Sequence, residues 1–289
     1  MGLQIGHRLS AFRDALGQVE DRAAFVAREL VCVPLRPVVA LQARRRGTSA
    51  AAEWQRIGSK AGYLRRHHLR GIGPAWIRHG TADVFTIAEV VGRDHEYGIP
   101  AEAREHLPRG RQPRIVDLGA NIGMFSLRAL RDLNPAHITA VEADHWNARI
   151  LRGNTSGLRP EASWTIVEAF AAPDGDDVVA FAAGNFTESR QGQAATSQVP
   201  TVDAFALMSD ADLAKVDIEG AEWPLLHDAR LATHGSPVMV LEYHRWGCPQ
   251  GESPGVRAEQ LLRAAGYQVL RAAPDDAEFG TLWAWKQRP

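Results

Sequence analysis

The chain has 289 residues, of which 33 are lysine or arginine and 34 are aspartate or glutamate, and 45% of all residues are hydrophobic. This is a globular composition, and a net charge of −1 argues against a protein that works by neutralising many nucleic-acid phosphates. The two cysteines, Cys32 and Cys248, are too few for a disulfide framework and lack zinc-ligand spacing. The longest apolar run, 30–41, is too short to span a bilayer. We therefore predict a cytoplasmic protein with free thiols.

Residues 3–31 have the period of one long amphipathic helix, because apolar residues recur there at alternating steps of four and three. These residues are Ile5, Leu9, Phe12, Leu16, Val19, Ala23, Val26 and Leu30. Gly17 in the middle costs about 1 kcal/mol of helix stability. The helix can pack on its own domain, or it can pair with a second copy of the chain as a homodimer.

A basic run follows between residues 43 and 70, with Glu53 as its one acid. Its members are Arg44, Arg45, Arg46, Arg56, Lys60, Arg65, Arg66 and Arg70, with His67 and His68. Such a run forms a solvated face, or it meets an anionic substrate group or a partner. We assign 1–75 to a helical N-terminal extension that could serve as a dimerisation element or substrate cap. We assign 76–113 to a connecting segment, in which β-branched and aromatic residues predict a short hairpin over 76–91.

From residue 114 onward, short apolar runs alternate with helical stretches. The predicted strands are 114–118, 138–142, 164–172, 213–218, 237–243, 267–272 and 279–286. This alternation predicts an α/β domain over 114–289, with a doubly wound, mostly parallel sheet of seven strands. The last two strands are too close in sequence to enclose a helix, so they should form an antiparallel hairpin at one side of the sheet.

The first chemical motif is a glycine-containing turn at 119–123, between a strand and a helix. Gly119 permits a tight turn and Gly123 permits close packing, so backbone N–H groups and a helix N-terminus face a ligand. Asp117, at the strand end, can accept a hydrogen bond from an amine. The pattern is G-x-x-x-G, with Asn121 inside it, rather than G-x-G-x-x-G or a phosphate loop. It therefore argues against NAD and ATP.

Two further predicted strands end in an acid. Glu142 follows Asp117 by 25 residues, where doubly wound folds place an acid on ribose hydroxyls. Glu168 ends the next strand, where it can accept from an adenine amino group. Each acid could instead have only a local structural role. In this order the three acids describe a pocket for an adenosine that carries an amino acid, which favours S-adenosylmethionine.

Charged residues also interrupt the predicted central strand 213–218. Lys215, Asp217 and Glu219 alternate with apolar residues and would share one face, where burial costs several kcal/mol unless the charges pair or bind a ligand. Glu242 and His244 repeat this pattern at the end of the next strand. His244 is our general-base candidate because its ordinary pKa lies nearest neutrality, although a strand histidine can also be a hydrogen-bonded core group.

These motifs resemble the FkbM family of class I S-adenosylmethionine-dependent methyltransferases, which have a Rossmann-like fold. The segments that carry the resemblance are VDLGANIGMFSL (116–127), VEAD (141–144), VEAFAA (167–172), KVDIEGAEWPLL (215–226) and LEYH (241–244), and 77–97 resembles the stretch upstream of the family's core. One departure is Trp223 with Pro224 after the acidic motif, which could alter the start of the helix there.

The resemblance implies a role for each matching residue. Asp117, Gly119, Asn121 and Gly123 would hold the methionine part of the cofactor, with Glu142 at the ribose, Glu168 and Ala169 at the adenine, and Asp217 between cofactor and acceptor. Lys215, Asp217 and Glu219 would border the methyl-transfer site. The implied reaction is O-methylation of a small secondary metabolite or sugar.

In the mechanism we expect, an acceptor oxygen attacks the sulfonium methyl in line, and positioning supplies most of the rate. His244 takes the proton, Glu242 orients its ring, and Lys215 pairs with Asp217 or polarises the oxygen. We expect no metal, although Asp217, Glu219, Glu242 and His244 could bind Mg²⁺. The alternatives are N-methylation of a small molecule, RNA methylation through the basic run, an NAD-dependent dehydrogenase and a non-catalytic cofactor-binding scaffold.

Overall fold

The structure is a computed structural model, and it describes residues 2–48, 50–58, 62–92, 94–158, 164–175, 177–182, 190–191, 197–271, 273–274 and 277–287. The strands are β1 (Leu64–Leu69), β2 (Gly73–Arg78), β3 (Arg114–Leu118), β4 (His137–Glu142), β5 (Trp164–Glu168), β6 (Phe170–Ala172), β7 (Val178–Ala182), β8 (Arg190–Gln191), β9 (Ser197–Asp203), β10 (Leu213–Val216), β11 (Val238–His244), β12 (Tyr267–Arg271) and β13 (Phe279–Lys286).

The α-helices are Gly2–Gln18, Arg22–Cys32, Arg36–Arg46, Ala50–Glu53, Asp83–Thr86, Asp94–Tyr97, Ala101–Arg104, Met124–Leu133, His145–Thr155, Ala204–Ser209, Glu222–His227, Leu231–His234 and Pro254–Ala264. A 3₁₀ turn joins the second to the third, and π-helical turns over Trp54–Gly58 and Ile87–Gly92 extend two of the short ones. None of the helices in the described residues is both long enough and apolar enough to cross a bilayer.

The main sheet has seven strands in the order β12-β13-β11-β10-β3-β4-β5. Strand β13 is antiparallel to both of its neighbours, and the other pairs are parallel, which confirms the doubly wound, mostly parallel α/β fold. The predicted hairpin of β12 and β13 lies at one edge. Because the parallel strands β3, β4, β10 and β11 end on the same side, the loops that follow them meet there.

Two predicted strands are shorter in the structure. The predicted strand 213–218 ends at Val216, and 164–172 divides at Ala169 into β5 and β6. Strand β6 leaves the main sheet and starts a second sheet, in the order β6-β9-β7-β8. Residue Ala169, between β5 and β6, is still bound to the main sheet, since its amide donates to the Glu142 carbonyl of β4. The small sheet begins after this residue.

The N-terminal segment is not one helix over 3–31 but two, Gly2–Gln18 and Arg22–Cys32, with a break between them. At the break, the Gln18 carbonyl accepts from the Arg70 amide at 2.8 Å, and the Glu20 amide donates to the His68 carbonyl at 2.9 Å. Pairing with β1 therefore competes with helix continuation. The heptad pattern also does not describe the buried face, since Leu30 is 72% exposed; the side chains of Ile5 and Leu9 lie outside the described residues.

The hairpin predicted over 76–91 lies earlier in the chain. Strands β1 and β2 pair over 64–78, mostly inside the segment 1–75 that was predicted to be helical, and 83–92 is helical. Gly71 and Gly73 both have positive φ at the turn, so the tight connection was encoded by glycines that the prediction assigned to the N-terminal extension.

A buried polar chain joins the N-terminal helices to this hairpin. Asp21 Oδ2 lies 2.7 Å from His67 Nδ1, the two Nε2 atoms of His67 and His79 are 2.8 Å apart, and His79 Nδ1 lies 2.8 Å from Glu29 Oε1. Both Nδ1 atoms face carboxylates, and the two Nε2 atoms face each other. The ring of Phe25 packs edge-on against both imidazoles.

Two hydrophobic clusters cover the two faces of the main sheet. In one, Ala11, Ala15 and Phe25 of the N-terminal helices share a cluster with Ile115 of β3 and Trp283 of β13. In the other, the C-terminal helices cover the opposite face. The indole of Trp283 also donates to the Glu96 carbonyl at 3.1 Å. The N-terminal segment is therefore part of the core that supports the main sheet.

Candidate active site

The loop after β3 is fixed by its neighbours. Gly119 has φ of +75°, and a Cβ there would lie 1.7 Å from the Asp217 carbonyl oxygen, so no other residue fits. The amides of Gly119 and Ala120 both donate to the Val141 carbonyl of β4. Asn121 is also left-handed, with φ of +51°. The loop thus has the shape of a ligand cradle before the helix Met124–Leu133 begins.

Asp117 is fully buried below this loop. Its Oδ2 accepts from Ser126 Oγ at 2.7 Å, and its Oδ1 lies 3.4 Å from the Lys215 ammonium. The Asn121 side-chain oxygen is buried without a hydrogen-bond partner among the described residues. A buried carbonyl oxygen in this state fits a ligand that brings an N–H donor, as the amino group of S-adenosylmethionine would.

Glu142 ends β4 beside the same loop. Its Oε2 accepts from the Asn121 amide at 2.7 Å and its Oε1 from the Asp144 amide at 2.8 Å. Burial raises the pKa of Glu142 to about 7. The side chain of Asn147 also donates to Oε1, at 3.4 Å, so the carboxyl group of Glu142 holds the loop in place.

Glu168 ends β5 but is engaged at the surface. It accepts from His145 Nδ1 at 2.7 Å and from Arg152 Nη1 at 2.8 Å. Although partial burial opposes ionisation, these two partners lower the pKa of Glu168 overall. Its place at the strand end is as expected, whereas its side chain contacts His145 and Arg152 rather than being left open toward an adenine. The neighbouring Ala169 is buried.

Lys215 is the buried cation of the site. Its ammonium donates to the carbonyls of Leu118 and Gly119 and lies 3.3 Å from Asp217 Oδ2. Burial lowers its pKa, but Asp217 and Asp117 more than offset this and raise it. The three charges predicted to share a strand face do not, because the strand ends at Val216 and Glu219 lies in a turn with φ of +54°. Lys215, Asp217 and Glu219 are instead brought to the same small cavity by the turn that follows the strand.

His244 is held by an acid that the sequence analysis did not assign. The carboxylate oxygen Oε1 of Glu222 accepts from the His244 amide at 2.8 Å and lies 3.2 Å from its Nδ1. Glu242 lies 3.6 Å from the other nitrogen, Nε2, and Glu219 lies 3.8 Å from it. Glu222 therefore makes the closer contact with the ring, at Nδ1, and Glu242 lies beside Nε2.

The charge of His244 follows from these acids. Burial lowers its pKa, but the hydrogen bond and charge of Glu222, with Asp217 and Glu242, raise it to about 9. His244 is therefore protonated at neutral pH, and a protonated imidazole cannot be the general base we expected. Trp223 supports the arrangement by donating from Nε1 to the His244 carbonyl at 2.9 Å. The Trp-Pro departure therefore leaves the site intact.

Tyr97 is a second residue that the sequence analysis did not assign. Its hydroxyl donates to Glu242 Oε2 at 2.5 Å from the short helix Asp94–Tyr97. Burial and the nearby Asp217 raise the pKa of Glu242 to about 7. The only signal for Tyr97 was its place at the end of the segment 77–97 that resembles the family.

Two cavities meet at this cluster. A small one of about 90 Å³ lies between the glycine loop, Lys215, Asp217 and residues from 86–97. A larger one of about 400 Å³ has aromatic and aliphatic walls. Its lining includes Phe170, Val179, Pro224 and Trp246. Glu219 lines both cavities and therefore stands between the glycine loop and the larger, mostly apolar compartment, whereas Asp217 and Glu242 line only the small cavity.

Asp217, Glu242 and His244 have ligand atoms within 4.8 Å of one another, close enough for a metal ion. Two positive groups already occupy this position: the Lys215 ammonium beside Asp217 and the protonated His244 ring. A divalent ion would have to displace both charges, so the donor set does not favour one.

Comparison with known proteins identifies the family. The model of the methyltransferase FkbM domain matches residues 117–269, which is more than half of the chain. The chain belongs to the FkbM methyltransferase family. The resemblance inferred from its motifs is therefore confirmed, and the protein is an S-adenosylmethionine-dependent methyltransferase.

Solved structures and curated proteins were also compared. The precorrin-6y C5,15-methyltransferase of Geobacter metallireducens is 17% identical, with 65% of this chain and 87% of that chain covered and a TM-score of 0.40. A proposed transferase of Pyrococcus horikoshii is 13% identical, with 78% of this chain and 73% of that chain covered and a TM-score of 0.41. No curated protein matches the sequence. The assignment of this FkbM methyltransferase rests on the family match.

Proposed function

We propose that this FkbM methyltransferase transfers a methyl group to a hydroxyl oxygen of a small molecule, a secondary metabolite or a sugar. The observation that carries the proposal is the position of Glu242, which lines the small cavity together with the glycine loop and has a pKa raised to about 7. A carboxylate with this pKa is matched to accept a proton near neutral pH. The cavity of about 400 Å³ has the size of a small-molecule site.

In this mechanism each residue has one task. The cofactor, when bound, supplies an electrophilic methyl group on a sulfonium sulfur; Asp117, Asn121 and Glu142 would hold it. Glu242 accepts the proton of the acceptor hydroxyl, and Tyr97 holds that carboxylate through one oxygen. His244 remains protonated and donates toward the acceptor oxygen or Glu242.

Asp217 and Glu219 border the acceptor. Lys215 fixes Asp217 through their ion pair at 3.3 Å. Most of the rate enhancement then comes from positioning, with proton removal as a smaller term.

The direct test measures methyl transfer from labelled S-adenosylmethionine to a panel of hydroxylated small molecules and sugars, with products identified by NMR. We expect an O-methyl product. Glu242→Gln should lower turnover about 100-fold or more while S-adenosylhomocysteine still binds, and the exposed Glu252→Gln should be unchanged. Normal turnover of Glu242→Gln would remove Glu242 from the mechanism.

One observation favours a second candidate, N-methylation of a small amine. Three carboxylates, those of Asp217, Glu219 and Glu242, border the cavities and would attract a protonated amine. The same assay decides between the two, because an amine panel that gives an N-methyl product, with no product from the hydroxylated panel, would replace the first proposal.

A further inference from the structure

An exposed apolar surface lies on the N-terminal helices, away from both cavities. Its residues are Leu30 (72% exposed), Val31 (49%), Val33 (40%), Val38 (45%) and Leu41 (48%). They are five of the eight large exposed hydrophobic residues found among the described residues, and they lie within 12 residues of sequence. We call them the N-terminal apolar patch. Clustered exposed apolar residues usually mark an interaction site.

Arginines continue the patch. On the helix Arg36–Arg46, Val38, Leu41 and Arg45 follow at steps of three and four and share one exposed face, and Arg44 and Arg46 are also exposed. Between residues 22 and 48 the chain has six arginines and one acid. That acid, Glu29, is buried and bonded to His79 and Gly80. The exposed face of this segment is therefore apolar at one end and positive at the other.

We propose that the N-terminal apolar patch binds the surface of an anionic phospholipid bilayer. Leucine and valine side chains can enter the headgroup boundary while the adjacent arginines meet lipid phosphates. Charge complementarity selects this partner. In a symmetric dimer through the patch, like-charged arginines would approach one another. Single-stranded RNA needs aromatic side chains on which bases stack, and the segment 22–48 has only the buried Phe25.

The test uses the full chain and sedimentation with vesicles. One set of vesicles is phosphatidylcholine alone, and the other has phosphatidylserine as about one lipid in four. We expect at least tenfold tighter binding to the anionic vesicles. The triple variant Leu30→Ser/Val38→Ser/Leu41→Ser and the pair Arg44→Glu/Arg45→Glu should each lose at least tenfold. Leu270→Ser, which removes an exposed leucine of β12 (45% exposed), is the matched control and should bind as wild type.

Since no patch residue lines either cavity, every variant should keep its S-adenosylhomocysteine affinity, which shows that the fold is retained. Three results would overturn the proposal. They are equal or absent binding to the two vesicle types, an equal loss in Leu270→Ser, and light scattering that shows a dimer which the triple variant converts to a monomer. Patch-dependent binding of an RNA oligonucleotide without vesicle binding would assign the surface to RNA instead.

Discussion

One buried carboxylate, Glu222, sets the charge of the site. It is fully buried and accepts from both the amide and the ring of His244. The pKa of His244 is raised, so its protonation stabilises the folded chain fully below pH 6.5, and this stabilisation is lost as the pH rises through about 9. At pH 7 the contribution is on the order of 2 kcal/mol.

Glu222→Gln should therefore lower the pKa of His244 substantially, because the amide keeps an acceptor but removes the charge. The free energy of unfolding should fall by about 2 kcal/mol at pH 7, and the difference from wild type should vanish near pH 10. NMR titration of the imidazole and denaturant unfolding measure the two effects, with the exposed Glu102→Gln as control. An unchanged imidazole titration would refute the role of Glu222.

Gly119 can be tested against a glycine in the same backbone conformation. Gly119 and Gly157 have φ of +75° and +76°, but only Gly119 has backbone atoms in the way of a Cβ. Gly157→Ala should cost about 1 kcal/mol of stability from the left-handed conformation alone. Gly119→Ala should cost at least twice that and abolish S-adenosylhomocysteine binding. Equal effects in denaturant unfolding and calorimetric titration would mean that the close approach to Asp217 does not matter.

Among the structural elements, the short helix Asp94–Tyr97 matters most for the chemistry, since it brings a hydroxyl to Glu242 across 145 positions of sequence. Tyr97→Phe removes a bond that lowers the pKa of Glu242, so that pKa should rise, and the acidic limb of the pH–rate profile should move to higher pH. Tyr267→Phe is the control, because it also loses one buried hydroxyl bond, to Ser236. Both should lose about 1 kcal/mol of stability. A profile that moves in neither variant would separate Tyr97 from catalysis.

The hairpin β1–β2 and the helix Arg22–Cys32 are joined through His67 and His79, whose rings contact each other and of which His79 contacts Glu29. Burial lowers the pKa of His67 despite its bond to Asp21, so the folded chain loses stability as the pH falls below about 6.5, where the unfolded chain takes up the proton. His67→Gln should cost about 2 kcal/mol at pH 7.5, and this deficit should shrink by pH 5. Urea unfolding at both pH values tests this, with exposed His68→Gln as control. A pH-independent deficit would contradict it.

Structural features that neighbouring residues determine could be predicted from the sequence. Features that depend on contacts between distant segments could not. The strands β3, β4 and β10 could be predicted because each is a short apolar run followed or ended by an acid or a glycine. The same runs predicted the sheet and the position of the cofactor loop. The break after Gln18 coincides with a hydrogen bond to its carbonyl from the amide of Arg70, the residue after β1, and no helical period shows such a contact. The partner of His244 was equally hidden, since Glu222 reaches it only when a turn brings two strand ends together.

In the whole molecule, the N-terminal helices are part of the core rather than an appendage. Ala15 is fully buried in the cluster that covers one face of the sheet. Ala15→Asp should therefore destabilise the full chain by more than 3 kcal/mol, whereas Arg13→Asp, on the exposed side of the same helix, should stay within about 0.5 kcal/mol. The difference in stability between the two variants can be measured by thermal unfolding. A small effect of Ala15→Asp would make the first helix separable from the fold.

The bond from the Trp283 indole to the Glu96 carbonyl spans 187 positions of sequence. Glu96 leaves the ribosome long before Trp283 does, and the wall of the small cavity near Tyr97 stays unsupported until the last strand has been synthesised. Contacts this distant in sequence form slowly, because the chain must close a large loop before they are made. The ability to bind S-adenosylhomocysteine should thus be acquired only after β13 has been synthesised, as a late and all-or-none property.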